Sequence, residues 1–158
     1  MKLSLIAAMD ENKLIGSAEG GLPWQGIEQD RDHFRSYVQG KGLLLGRKTY
    51  EEMEGWFGLD HRPYILTRNR NYAPKSQVRV AFSFDEIIRT AEKEAENELV
   101  VCGGAEIYER TINYADLIIL TILHTTFTVE SEAKYFPDWH SKDFIEIKRQ
   151  DFSPSAER

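Results

Sequence analysis

Asp30 is the residue of this chain most open to a chemical role. On a helical wheel at about 100° per residue, Ile27, Phe34, Tyr37 and Val38 form one apolar stripe, and Asp30 falls inside it. A carboxylate in that position is costly to bury unless it is paired or used. Two readings fit: a partly exposed or salt-bridged aspartate, or a desolvated carboxylate that binds or protonates a ligand. A second signal is Val101-Cys102-Gly103-Gly104-Ala105-Glu106-Ile107-Tyr108, where an apolar run ends in two glycines and a helical pattern begins. Such a turn aims backbone N–H groups and a helix dipole at a phosphate. It lacks the full Gly-x-Gly-x-x-Gly fingerprint, and Gly-Gly also makes ordinary tight turns. A third is Leu45-Gly46-Arg47-Lys48-Thr49-Tyr50. Two cations at a helix start oppose its dipole unless an anion is present, and solvation at the surface is the plain alternative. Arg68, just after the apolar run 64–67, adds a cation. Two arginines near a ribose would favour a 2′-phosphate, and so NADPH over NADH.

These residues need elements to hold them. Apolar runs at 3–9, 43–45, 64–67, 99–102 and 117–123 lack polar alternation, which predicts strands covered on both faces, as in parallel sheets. Helical patterns fall between them at 28–39, 48–53, 84–95 and 105–111, so the order is that of an α/β sheet with helices on its faces. Ser83 followed by Glu86 reads as a capping box. The segments 16–26 and 55–62 are irregular and glycine-punctuated, and loops beyond strand ends are where ligands sit in such folds.

Composition limits the alternatives. The 158 residues suit one domain without repeats or linkers, and a net charge of −6 argues against a broad nucleic-acid face. Cys102 is the only cysteine, so no intrachain disulfide forms and a reducing compartment is expected. The first residues do not read as a signal peptide, and no apolar run approaches the ~20 residues of a membrane span. A soluble, cytoplasmic protein is expected. His33, His61, His124 and His140 have no metal-like spacing with Cys102, so no metal is expected.

Taken in order with Ala7-Ala8, Ile15-Gly16, Leu22-Pro23-Trp24 and Phe136-Pro137, these motifs resemble dihydrofolate reductase over most of the chain. The resemblance implies a mixed, mostly parallel central sheet flanked by helices, and reduction of dihydrofolate to tetrahydrofolate for one-carbon metabolism, with NADPH as cofactor. It implies Asp30 as the catalytic carboxylate, with Leu22, Trp24 and Thr121 beside it. Ile6, Ala7, Ala8, Phe34, Met53, Arg62 and Thr121 would contact substrate, Arg62 as the clamp on its α-carboxylate. Ala8, Ile15, Gly16, Gly46, Arg47, Lys48, Thr49, Leu66, Thr67 and Arg68 would contact the cofactor, joined by Cys102, Gly103, Gly104, Ala105, Glu106, Ile107 and Tyr108. The stretch 16–24 would be a mobile loop closing over the site, and the Gly103–Gly104 peptide would be cis. Antifolate inhibitors are expected ligands. A related reductase acting on a pyrimidine or another pterin, and a binding module without activity, are the competing readings.

Three departures from the family pattern stand out. Arg62 matches the clamp only with a one-residue deletion. Residues 129–133, Val-Glu-Ser-Glu-Ala, replace a usual Gly-Asp-Thr in the loop that braces the lid. Residues 144–148, Phe-Ile-Glu-Ile-Lys, alternate as an antiparallel strand should, yet the family's final strand is lacking after them, absent from the protein or lost with its tail. That strand is then expected to pair directly with 117–123, to exchange with a second copy in a dimer, or to stay mobile in a monomer.

Overall fold

The structure is a computed structural model and describes residues 1–17, 28–74, 78–139 and 144–152. Its longest strand is β1 (Lys2–Asp10), whose residues from Leu3 onward are buried apart from a half-buried Ala8. Continuous burial follows from the apolar run, because helices or loops must cover both faces. Parallel to β1 on one side is β6 (Glu98–Gly103), and on the other β7 (Leu117–Leu123). The sheet continues from β6 through β3 (Gly42–Gly46) and β4 (Arg62–Leu66) to a short β5 (Arg79–Ala81), in the order β5-β4-β3-β6-β1-β7. Every pairing within these six strands is parallel. The antiparallel component is a separate ribbon of β2 (Leu14–Ser17) and β8 (Ala133–Tyr135).

Among the described residues four α-helices cover the sheet: α1 (Glu28–Val38), α2 (Arg47–Glu52), α3 (Phe84–Lys93) and α4 (Ala105–Thr111). On α1 the wheel is realised for the residues whose side chains are described. Asp30, Phe34 and Tyr37 are half-buried and Val38 is buried, while the positions between them face solvent. The capping box of α3 also forms, with one shift. Ser83 Oγ accepts from the Glu86 N–H at 3.2 Å, but Glu86 Oε2 reaches back one residue further, to the N–H of Phe82 at 3.1 Å. The core divides at the sheet. Leu5, Leu44, Leu99 and Val101 pack on one face, and Ile6, Leu43, Leu45, Ile65 and Val100 pack on the other. No helix among the described residues is long and apolar enough to cross a membrane.

The segment 144–148 is not a strand. β7 pairs only with β1 among the described residues, and 144–152 carries no regular structure. Phe144 packs against the core, whereas Ile145 and Ile147 are 81% and 75% exposed. Period-two alternation predisposes a segment to pair, but a strand forms only where a ladder to a neighbour is made, and 144–148 makes none among the described residues.

Candidate active site

The carboxyl ends of β1, β6 and β7 bring together most of the residues singled out in the sequence. The register sets Ala8 opposite Thr121, and Ile6 opposite Ile119. One turn of α1 lies over this point, so the Thr121 hydroxyl hydrogen-bonds the Asp30 carboxylate. Burial pushes the Asp30 pKa up, and the bond from Thr121 and the charge of His33 offset only part of that rise. Tyr108, from α4, donates its hydroxyl to the Ile6 carbonyl at 2.7 Å. Burial raises the Tyr108 pKa well above its ordinary value, and the nearby Cys102 and Asp30 add to the rise. The Cys102 thiol donates to the Val100 carbonyl at 3.5 Å and is likewise pushed up by burial, so it stays a thiol. A half-buried acid, a hydroxyl and a buried phenol therefore gather at the carboxyl end of β1.

An aromatic wall adjoins the acid. Phe34 follows Asp30 by one turn of α1, and its ring lies 5.5 Å from that of Trp56. Trp56 stacks on His61 at 4.6 Å and meets Phe57 edge-on at 5.4 Å. Met53, at the end of α2, packs in the same cluster as Phe34, Ile6 and Cys102. Sequence reasoning placed Trp56 and Phe57 only within an irregular, glycine-punctuated segment. It considered His61 only as a metal ligand. In the fold His61 is a packing residue whose Nδ1 accepts the Gly58 N–H at 2.7 Å. Among the described residues no group of His, Cys, Asp or Glu is arranged to hold a metal ion.

The two glycine turns lie side by side. A Cβ on Gly104 would stand 3.3 Å from Thr49 Oγ1, and one on Gly46 would stand 3.1 Å from Ile107 Cγ1. Gly103 has φ +122°, a conformation open to glycine, and the Gly103–Gly104 peptide is cis. Gly46 and Thr49 of one turn thus abut Gly103, Gly104 and Ile107 of the other, across the adjacent strands β3 and β6. Leu66 ends β4 next to Gly46, Thr67 follows it, and Thr67 Oγ1 accepts the Asn69 N–H at 3.1 Å. Arg68 is exposed just beyond and bonds Glu106 of α4, while Arg47 bonds Glu51 at 2.9 and 3.0 Å. Lys48 is exposed on the first turn of α2. Arg47, Lys48 and Arg68 beside two closely packed glycine turns fit an anionic dinucleotide. Ile15 and Gly16 lie on β2, and Ile15 packs against the core cluster that includes Ile107 and Tyr108 of α4. Leu22 and Trp24 lie outside the described residues.

Arg62 corrects the sequence reading. It begins β4 opposite Gly42, at the amino end of the strand. Its Nε and Nη2 each donate to Glu96 at 2.7 Å, and Nη2 also donates to the Gly40 carbonyl at 2.8 Å. The guanidinium is committed to a carboxylate that is only 4% exposed. A buried carboxylate left alone would cost several kcal/mol, so Arg62 is a structural partner of Glu96 rather than a substrate clamp.

Asp10 is a positioning residue that carried no signal beyond ending an apolar run. Its buried carboxylate accepts the N–H groups of Asn12 (2.8 Å), Leu14 (2.9 Å) and Phe127 (3.0 Å). It thereby ties the turn between β1 and β2 to the segment that leads into β8.

Comparison with known proteins gives a consistent picture. A family model described as dihydrofolate reductase matches residues 2–158. A dihydrofolate reductase of Mycoplasma genitalium is 36% identical over 124 residues, covering 77% of this chain and 76% of that one. The type 15 dihydrofolate reductase of Escherichia coli is 34% identical over 154 residues, covering 96% and 91%. Among solved structures, dihydrofolate reductase from Enterococcus faecalis, complexed with NADP(H) and RAB-propyl, superposes with a TM-score of 0.76 at 34% identity. That superposition covers 87% of this chain and 79% of the other.

Proposed function

The chain belongs to the dihydrofolate reductase family, and on that premise we propose that it is one domain whose acid, Asp30, drives reduction of dihydrofolate to tetrahydrofolate with NADPH. It is an NADPH-dependent oxidoreductase. The family match from residue 2 to residue 158 supports a single domain. A cytoplasmic location and competition by antifolates for the Asp30 pocket belong to the same reading.

The observation that carries the catalytic assignment is the half-buried Asp30 held by Thr121 over the carboxyl end of β1. NADPH, when bound, supplies the hydride. This chain's residues supply the rest. Gly46, Arg47, Lys48, Thr49, Leu66, Thr67 and Arg68 would hold the adenosine end, with Arg47 and Arg68 toward a 2′-phosphate. Residues 102–108 and Ala8 would hold the pyrophosphate and nicotinamide, Glu106 through its backbone alone because its side chain is on Arg68. Ile6, Ala7, Phe34 and Met53 would wall the pterin. Asp30 would pair with the pterin's amidine edge, and Thr121 would keep the carboxylate aimed at it.

A raised pKa means that Asp30 keeps its proton to a higher pH than an ordinary aspartate. Paired with the amidine edge, Asp30 would raise the basicity of the imine nitrogen, and the carbon beside that nitrogen would accept the hydride once the nitrogen is protonated. The Tyr108 hydroxyl, fixed on the Ile6 carbonyl, holds α4 against β1 at the same place. Leu22, Trp24 and Gly16 would belong to the loop that closes over these groups and excludes water.

The test is Asp30→Asn. Fold and NADPH binding should survive, because size and hydrogen-bonding shape are kept. Turnover near neutral pH should fall at least ~10²-fold and recover in part at low pH, where solvent can protonate the substrate. Near wild-type turnover at neutral pH would make Asp30 a packing carboxylate.

A further inference from the structure

The two arginines of the proposed adenosine end do not stand free. Arg68 is bonded to Glu106, the second residue of α4, and Arg47 is bonded to Glu51, four residues on in α2. The two pairs differ in position. Glu51 lies a full turn into α2, so its charge stays with Arg47 on the helix surface. Glu106 reaches across from the Gly103–Gly104 turn to a residue 38 positions away, beyond the end of β4. It thus links the two strand ends between which the dinucleotide would lie.

We propose that Glu106 is a positioning residue for cofactor choice. It holds Arg68 at the edge of the adenosine end, and it weakens the preference for a 2′-phosphorylated dinucleotide by neutralising the cation that would read that phosphate. The inference deepens the reading given above, since it rests on Arg68 facing the 2′-phosphate. A phosphate dianion entering beside Arg68 must displace the carboxylate or share the guanidinium with it. Sharing places like charges close together, and displacement forfeits the ion pair. A dinucleotide without the 2′-phosphate asks neither. The arrangement therefore discriminates between the two cofactors less than two unpaired arginines would.

Both partners are well exposed, Arg68 at 75% and Glu106 at 57%, so solvent screens the pair. Exposed pairs of this kind contribute little, and the expected gain on removing Glu106's charge is about threefold to fivefold in affinity.

The experiment is Glu106→Gln, which keeps length and hydrogen-bonding capacity. Dissociation constants for NADPH and NADH are measured by fluorescence titration. Adenosine 2′,5′-bisphosphate and 5′-AMP serve as probes of the adenosine end alone. The variant should bind NADPH and the bisphosphate about threefold to fivefold more tightly and change little toward NADH and 5′-AMP. Molar salt should erase most of the gain. In an Arg68→Ala background the same substitution should give no gain.

If Arg68→Ala leaves the wild-type NADPH-to-NADH ratio unchanged, the placement of Arg68 in the proposed function fails and takes this inference with it. If Arg68→Ala lowers the ratio but Glu106→Gln does not raise it, this inference alone is overturned. Equal tightening toward NADPH and NADH also overturns it, because Glu106 would then act on the shared pyrophosphate and not through Arg68.

Discussion

Replacing Arg62 by Ala separates two accounts of the same residue by where the damage appears. The sequence pattern offers Arg62 as the clamp on the substrate's α-carboxylate, and the structure offers it as the partner of Glu96. Two charge-assisted bonds to Glu96 and one to the Gly40 carbonyl would be lost, leaving Glu96 with the Tyr64 hydroxyl at 2.8 Å. Breaking a fully buried pair by removing one partner costs about 3–5 kcal/mol. Arg62 is 38% exposed and so partly screened, which brings the expectation down to roughly 2–3 kcal/mol. At about 2–4 °C per kcal/mol for a chain of this size, Tm should fall by roughly 5–10 °C, read by calorimetry or circular dichroism.

The pH dependence adds a second mark. Burial alone would raise the Glu96 pKa, but the bonds from Arg62 and Tyr64 outweigh it and hold the group below its ordinary 4.5. A depressed carboxylate pKa contributes stability that is present above the unfolded value and lost as pH falls through the folded one. The stability gap between wild type and Arg62→Ala should therefore be full near neutral pH and close below about pH 4.5. The KM for dihydrofolate should change by less than about twofold, since no uniform binding contact is removed. A variant with unchanged Tm and a KM raised tenfold or more would refute the structural role and restore the clamp.

The other expectations are more local. Gly104→Val would press a branched side chain against Thr49, whose Oγ1 is already 3.3 Å from the Cβ position. NADPH affinity should drop by at least ~10-fold while the far-ultraviolet circular dichroism of the sheet persists, because overpacking of this kind costs about 1–3 kcal/mol locally. Undiminished titration by a folded variant would move the cofactor elsewhere. Amides at 145–148 should exchange near the rate of an open chain, because those residues are exposed and carry no ladder. Protection comparable to that of β1 would mean that the segment pairs with a strand after all.

The sheet was legible because β1, β3, β4 and β6 are largely buried on both faces, while β7, half-buried along most of its length with Ile122 exposed, was marked by its apolar run alone. Long uninterrupted apolar runs mark β1, β3, β4, β6 and β7, and the observed bounds of β7 and α4 coincide with the patterns that predict them. The short strands were not. β2, β5 and β8 have four, three and three residues, too few for any period to show, and β2 and β8 exist only through pairing with each other. The reverse error at 144–148 has the same origin. Alternation describes what a strand would bury, while a strand also needs an edge that only the tertiary fold supplies. Asp30 was legible for a similar reason, since the wheel of α1 sets the carboxylate on the buried face before any partner is known. Thr121 and Tyr108 needed the register of β1 with β7 and the placement of α4 to become its neighbours.

Charged residues were the least legible, because a cation's role depends on which anion reaches it first. Arg62, Arg79 and Lys41 could each be offered to a ligand from sequence alone, yet each meets a carboxylate from the stretch 94–98 near the amino ends of the strands. Glu98 takes hydrogen bonds from Ser4 at 2.6 Å and Tyr37 at 2.5 Å, and Glu96 and Glu94 share the Tyr64 hydroxyl. The partners are separated by 15 to 94 residues in the chain, so no local pattern could announce them. These carboxylates lock the amino ends of β4 and β6 to their neighbours. At the carboxyl ends, by contrast, Asp30 is desolvated with only Thr121 and His33 to favour its charged form. An acid there keeps a raised proton affinity because the hydrogen-bond donors and cations that depress Glu96 and Glu98 stand at the other end of the sheet. Chemistry and stability are divided between the two ends, and moving a cation such as Arg62 to the Asp30 end would lower the acid's pKa and remove the property its proposed role requires.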